Sequence, residues 1–360
     1  MSTTPKLAYV GSRTSRERNA RGDGLNLYRI EATGDWTHLQ LVGDLLNPAF
    51  LAFDRPRRTL YAVHGDSTEV SAFRIDPQTG RLALLNRRST RGQNPVHLTV
   101  DPTNRFLLIA NHVTTSDKPS GLAVLALTPD GALGDLADLV PLKGKLGPHR
   151  VEQPFAKPHQ VQFDPSGRFV VAPDKGRDVV EVYVMDTKGK LKLVEPPAPH
   201  AQEGAGPRHI AFHPNGRHAY VINELNSTVV AYRFEAANGA LTPFQVLPSL
   251  PDSFVGDSRG AEIEVSRDGR FVYASNRGCD TIAVFAVDQR TGRLSARGWT
   301  ETGGKTPRFF ALAPGGRHLF AANEESDTIV AFAVDGRDGS LGTGRVVARV
   351  GSPTCIIFSA

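Results

Sequence analysis

Residues 206–232 read GPRHIAFHPNGRHAYVINELNSTVVAY, and the fold follows from this stretch. Ile210 and Phe212 alternate with smaller or polar neighbours, the period-two pattern of a strand. Pro214, Asn215 and Gly216 supply turn chemistry, because proline presets φ and glycine accepts a positive φ. Residues 219–222 are a short apolar run, 223–227 are polar, and 228–232 are β-branched and aromatic. The reading is therefore strand, turn, strand, loop, strand. The opening strand and its turn recur along the chain. They stand as NPAFLAFDRPRR from Asn47, NPVHLTVDPTNR from Asn94, KPHQVQFDPSGR from Lys157, RGAEIEVSRDGR from Arg259 and TPRFFALAPGGR from Thr306. A short last copy, SPTCIIF, begins at Ser352.

A second marker, Gly-x-(Leu or Trp), falls at Gly34, Gly80, Gly131, Gly189, Gly239, Gly292 and Gly339, at intervals of 46 to 58 residues. Each unit thus holds about four short strands, A to D in chain order, which matches a β-propeller blade. One such sheet cannot bury both its faces, but neighbours packed radially can. The last copy has only strand A, and the N-terminus supplies only B, C and D, at 7–10, 25–30 and 37–42. The two ends are expected to complete one blade and leave no open seam. The predicted fold is an all-β, seven-bladed propeller of four antiparallel strands per blade, one domain over 1–360, although length alone suggests two or three domains.

The remaining composition narrows the function. A net charge of +5 without Lys/Arg blocks suits an anionic small molecule and does not predict nucleic-acid binding. No run approaches the ~18 apolar residues of a membrane span, and MSTTPKLAYVG lacks the apolar core of a signal peptide. Cys279 and Cys355 are the only cysteines and have no partners at metal spacing, so a reducing cytoplasm, no disulfide framework and no metal or other cofactor are expected. There is no Gly-x-Ser-x-Gly elbow either.

Four connections are long: 13–24, 112–120, 143–157 and 252–259. In an antiparallel sheet the B–C and D–A loops leave from the same end, so all four are expected at one mouth of the ring, the usual sign of a binding face. Two rings of side chains are predicted there. Thr354, Ala49, Val96, His159, Arg208, Ala261 and Arg308 stand at the start of strand A. Arg13, Gly65, His112, Lys175, Glu224, Arg277 and Glu324 stand at the end of strand B. Charged side chains aimed into a channel are costly unless paired or used. Plainer readings exist. Arg208 and Glu224 would form a structural ion pair across the A–B hairpin, Arg277 and Arg308 would be solvated rim charges, and His159 a satisfied turn histidine. His209 and His213 point away from the channel and read as structural. Asn223, Asn276 and Asn323 read as residues that bond backbone to hold the turn after strand B. Cys279 has no histidine in its unit and is not read as a nucleophile.

The units GPRHIAFHPNGRHAYVINELNSTVVAY, SRGAEIEVSRDGRFVYASNRGCDTIAVF and KPHQVQFDPSGRFVVAPDKGRDVVEVY resemble the lactonase family of seven-bladed propellers. That family holds propeller-type 6-phosphogluconolactonases and carboxy-muconate cyclases. The resemblance covers essentially the whole chain. It implies an active site of one His, two Arg and one Glu, at His159, Arg208, Glu224 and Arg277. The segment GPHRVEQPFAKPHQ is similar to the family's loop over the site, which implies Arg150 and Gln153 as substrate contacts. The expected activity is metal-independent hydrolysis of an anionic sugar lactone, 6-phosphogluconolactone in first place. Glu224 or His159 would be the general base and Arg208 the oxyanion stabiliser. Arg277, helped by Arg150 or Arg308, would anchor a phosphate or carboxylate, with Glu324 also in contact with substrate. The alternatives are a carboxy-muconate cycloisomerase and a non-catalytic scaffold or sensor. The lack of Trp-Asp blade endings argues against the WD-repeat class.

Overall fold

A computed structural model describes residues 7–195, 199 and 201–359; the first six residues of the stretch read for a leader lie outside them. Seven four-stranded antiparallel sheets form the expected seven-bladed β-propeller. Six blades, numbered two to seven, are four consecutive strands each, from β4 (Pro48–Phe53) to β7 (Leu82–Ser89) in blade two through β24 (Pro307–Leu312) to β27 (Arg345–Arg349) in blade seven. Blade one has the order β28-β1-β2-β3. In it β28 (Pro353–Phe358) lies antiparallel to β1 (Leu7–Ser12), with Tyr9 opposite Ile357 and Val10 opposite Ile356. The two ends thus complete one blade, with β2 (Leu25–Ile30) and β3 (Trp36–Val42) within a residue of the predicted strands.

The chain divides into two compact units. One is Leu45–Arg208 with Phe234–Thr242. Here strand B is buried end to end, in β5 (Thr59–His64) and again in β13 (Phe169–Asp174). Continuous burial means that both faces of the sheet are covered. Tyr61, Val63, Leu98, Ile109 and Leu125 fill the space between blades two and three, and Leu108, Val124, Val170 and Tyr183 that between three and four. Strand D is the outer strand. In β7 (Leu82–Ser89) it is mostly exposed and carries Arg87 and Arg88, charges that blunt an open sheet edge.

The other unit is Met1–Asp44, His209–Arg233 and Pro243–Ala360. It repeats the scheme, with Tyr220, Ile222, Val272 and Phe285 packed between blades five and six and Tyr273, Val284, Phe310 and Phe332 between six and seven.

The Gly-x-Leu marker does more than turn the chain. Tyr273 donates its hydroxyl to Gly339 O at 2.9 Å, Tyr220 to Gly292 O at 3.0 Å, and Tyr61 to Gly131 O at 2.8 Å. In each case the turn of one blade is pinned to strand B of the blade before it. Gly339 has φ +80°, and a Cβ there would lie 2.5 Å from the Phe271 ring. The marker is glycine because nothing larger seats against the neighbouring blade.

The start of strand A carries a repeated β-bulge. Pro307 faces Asn323 but Phe309 faces Ala322, and Pro48 faces His64 but Phe50 faces Val63. The same shift occurs at Pro95/His97 and opposite Gly11/Ser12. The extra residues are Arg308, Ala49, Val96 and Thr354, four members of the predicted first ring. A bulge leaves its extra residue out of the ladder and re-aims its side chain, so that ring has a backbone cause. Blade four departs from the expectation. Its strand A shrinks to β12 (Gln162–Phe163) and an isolated Pro158–Asp174 bridge. His159 between them keeps one ladder bond, from its N–H to Pro173 O at 3.1 Å.

The blade lock predicts two stability losses. Gly339→Ala should cost roughly 1–3 kcal/mol through strain and overlap, and Tyr273→Phe about 1 kcal/mol. Urea denaturation should show both midpoints below wild type, and a wild-type midpoint for Gly339→Ala would refute the lock.

Candidate active site

The end of strand B lies across from the start of strand A within a blade, as with Arg277 opposite Arg259 and Asn323 opposite Pro307. Residues from the two predicted rings therefore become neighbours. In the unit containing blades six and seven, Asn276 and Asn323 bond backbone at these ends, as the sequence suggests, whereas Asn223 bonds a side chain. Asn276 Nδ2 donates to Ser249 O at 2.7 Å, Asn323 Nδ2 to Thr302 O at 3.0 Å, and Asn223 Nδ2 to Thr228 Oγ1 at 2.9 Å.

Glu224 follows directly on β17 (His218–Asn223). Its side chain is 5% exposed, with Oε2 3.3 Å from Arg277 Nη2, and Oε1 lies 4.0 Å from Arg259 Nη1. Arg277 closes β21 (Phe271–Arg277) and donates from Nη2 to Gly260 O at 3.0 Å. A Cβ on Gly260 would fall 2.4 Å from Asn223 O, so glycine is what lets strand A of blade six approach the end of β17. Burial lowers the pKa of Arg277 and Glu224 opposes it; a guanidinium stays charged regardless. Arg277 Nε is buried and has no hydrogen-bond acceptor among the described residues. An unsatisfied buried N–H is rare and costly, and suits a ligand oxygen.

A second acid sits at the same repeat position. Glu324 follows β25 (His318–Asn323), with Oε1 2.7 Å from Arg13 Nη1 and Oε2 3.7 Å from Arg308 Nη1. Arg308 is 17% exposed and paired, not a solvated rim charge. Burial pushes the Glu324 carboxyl up, but Arg308, Arg13 and Arg277 outweigh it and hold the group below the usual carboxylate range. His209 and His213 take the structural roles expected: Nδ1 of the first lies 2.8 Å from Glu262 Oε1, and Nε2 of the second 2.9 Å from Gly269 O.

In the other unit His159 is buried, and its ring lies edge-on to His112 with centroids 5.1 Å apart. His112 Nδ1 is 3.1 Å from Pro158 O; a carbonyl only accepts, so Nδ1 carries the proton. Lys175 is buried and pairs with Glu152 Oε2 at 2.8 Å. Gln153 lies on the same loop. It is buried, its Nε2 donates to Lys175 O and to Asp178 Oδ1, both at 2.8 Å, and its Oε1 accepts from His149 N–H at 3.1 Å. The amide is spent on fastening residues 142–161, while Arg150 is exposed on the same loop. Arg208, also buried, is the second residue of β16 (Pro207–Phe212).

Asp178 sets that start, accepting Gly206 N–H at 2.8 Å and Gly204 N–H at 2.7 Å. Sequence reasoning passed over Asp178, because Lys-Gly-Arg-Asp reads as an ordinary polar loop and only the fold brings two loops to it. It also passed over Arg259, which stands just ahead of the aligned strand start, and the partnership of Glu152 with Lys175.

Residues 7–358 match the family described as "Lactonase, 7-bladed beta-propeller". The 6-phosphogluconolactonase of Bacillus subtilis (strain 168) is 35% identical over 320 residues, 86% of this chain and 86% of the relative. That of Formosa agariphila is 31% identical over 319 residues, 85% of this chain and 86% of the relative. Among solved structures, the periplasmic gluconolactonase PpgL of Pseudomonas aeruginosa matches with TM-score 0.89 and 29% identity, over 98% of this chain and 99% of that one.

Two buried carboxyls give opposite pH signatures. Burial pushes Asp174 up to about 7, against the N–H groups of Lys157 and Gly176 and the charge of Arg177. The folded state holds that proton more tightly, so this contribution is full at low pH and is lost as pH rises toward 7. Asp174→Asn should flatten the fall in unfolding free energy between pH 5 and 7.5 by on the order of 2 kcal/mol. Glu324, held low, contributes above the ordinary glutamate range and loses it as pH falls. Glu324→Gln should be less stable than wild type at pH 7 and converge with it toward about pH 3. Urea titrations across pH would test both, and parallel curves for either variant would contradict the sign given.

Proposed function

The chain belongs to the lactonase family of seven-bladed β-propellers, and on that premise we propose that it hydrolyses an anionic sugar lactone without a metal, 6-phosphogluconolactone in first place. The observation that carries this reading is the buried Glu224 carboxylate 3.3 Å from Arg277, whose own Nε–H lacks an acceptor among the described residues. Lactone opening needs water activated against a carbonyl, charge stabilised on the carbonyl oxygen, and a proton returned to the ring oxygen as the C–O bond breaks. Glu224 takes the proton from water and returns it to the leaving alkoxide. Arg277 Nε–H and the nearby Arg259 guanidinium favour the negative charge that develops in between.

His159 as an alternative proton carrier and Arg208 as an oxyanion partner stay in the proposal on the strength of the family resemblance. Sugar lactones open readily in water, so the ~10²–10⁴-fold that a positioned base supplies is a sufficient contribution. The free thiols of Cys279 and Cys355 fit a cytoplasmic location.

A pH-stat assay on a lactone panel tests the reading. Wild type should open 6-phosphogluconolactone, and Glu224→Gln should lower kcat by about 10² or more with little change in KM. Arg277→Gln, Arg208→Ala and His159→Asn should also lower kcat/KM. Full activity in both Glu224→Gln and Arg208→Ala would remove the proposed site. Turnover of a carboxy-muconate with no lactone opened would move the reading to cycloisomerisation.

A further inference from the structure

Arg208 stands two residues past Gly206, and one side chain sets the backbone ahead of it. Asp178 is buried, and its carboxylate receives three donors: Gly206 N–H and Gln153 Nε2 at Oδ1, both at 2.8 Å, and Gly204 N–H at Oδ2, at 2.7 Å. Its own carbonyl accepts Ala201 N–H at 2.7 Å. Gly204 and Gly206 have φ of +75° and +65°. Glycine reaches that region freely and for the same reason does not hold it, so the strap 204–206 takes its shape from the carboxylate. Pro207 then fixes φ and hands the direction set at Gly206 on to Arg208.

Gln153 brings a second segment to the same carboxylate. Its amide also bonds Lys175 O and His149 N–H, and its backbone N–H bonds His149 O at 2.7 Å. A Cβ on Gly147 would lie 2.2 Å from both the nitrogen and the oxygen of that amide, so the loop backbone rests flat on it. Gly147 N–H bonds Gly176 O at 3.0 Å, and Glu152 pairs with Lys175. Loop 143–157, which carries Arg150, and the strap that leads into Arg208 are thus joined through one buried contact between Gln153 and Asp178.

That contact demands a carboxylate. Gly204, Gly206 and Gln153 all donate to it, and an ionised carboxyl is an acceptor only. Both oxygens are in use, so an asparagine would set its NH2 against at least one donor whichever way it turned. A buried donor left without an acceptor is costly, and the strap or the loop would move to relieve it. The two glycines have no side chain with which to resist. A shift of about 1 Å in a positioned group is enough to slow a reaction by about 10²-fold.

We propose that Asp178 is a positioning residue for lactone opening: through its contact with Gln153 it sets loop 143–157 and Arg208 as one unit. This rests on the lactonase reading and on Arg208 acting at the carbonyl oxygen. It adds that order in the loop is passed to Arg208, so that a change at Gln153 slows the reaction through Arg208.

The test is a double-mutant cycle in the full-length protein, with 6-phosphogluconolactone as substrate and amide hydrogen exchange as a second readout. Asp178→Asn should lower kcat by about 10²-fold and Gln153→Ala by about tenfold, with smaller changes in KM. Combined with Arg208→Ala, each should be no slower than Arg208→Ala alone, because residues that act through one group are not additive. Exchange in Gln153→Ala should quicken at 204–208 as well as in the loop. Unchanged kcat in either variant, losses confined to KM, losses that multiply with that of Arg208→Ala, or wild-type exchange at 204–208 would overturn the proposal. Should Asp178→Asn fail to fold, as circular dichroism would reveal, the cycle of Gln153→Ala with Arg208→Ala carries the same test. If wild type opens no lactone, the lactonase reading fails by itself, and the exchange at 204–208 then decides the coupling: quickened in Gln153→Ala keeps it, unchanged removes it.

Discussion

A four-stranded sheet has two faces, and strand B is buried along its whole length in blades two, four and five and along most of it in the others, so both faces need a cover. Burial of apolar surface against neighbouring blades is the interaction on which everything else rests. It explains why strands B read as unbroken apolar runs while the outer strands D are polar and charged. It explains the glycine at Gly131, Gly189, Gly239, Gly292 and Gly339, where the turn presses on a side chain of the blade before it, as Gly339 does on Phe271. It also explains why the pairing of β28 with β1 matters, because without it blade one would lack its first strand.

The same packing creates the conditions for chemistry. Once both faces are apolar and filled, polar groups collect at strand ends, where strand A starts and strand B stops. Bulges at the start of strand A free single side chains from the ladder there, and asparagines at the end of strand B fix the backbone around the acids. Glu224 is buried, Arg277 is nearly so and the two are paired, which is the state in which charges survive inside a protein and act strongly on a ligand. Residues that look catalytic by type but are satisfied elsewhere serve structure, as with His213 on Gly269 O and Gln153 on its own loop.

Chain closure and the charged cluster share parts. Arg13 leaves β1, bonds Ser352 just ahead of β28, and reaches Glu324 in blade seven. Arg21 in the same loop ties to Asp327. The backbone that joins the two ends of the chain therefore also sets the ion pair between Arg13 and Glu324.

Repeat length, turn chemistry and alternation are local and periodic, so residues 206–232 and their relatives determined the blade, its number of copies and the joining of the two ends. The same alignment put His159 and Arg208 in a ring whose other copies are mostly small or apolar and Glu224 and Arg277 in a ring rich in charge, and the family resemblance singled out these four. Pairing was beyond reach. That Glu224 meets Arg277 and Arg259, that Arg13 reaches Glu324 from the far end of the chain, and that Asp178 gathers two loops all depend on which strand ends are adjacent in space. Strand A of blade four, Arg259 and the buried Gln153 escaped for a related reason. A bulge, a single-residue offset or a side chain turned inward leaves no period in the sequence, and only the packed backbone decides it.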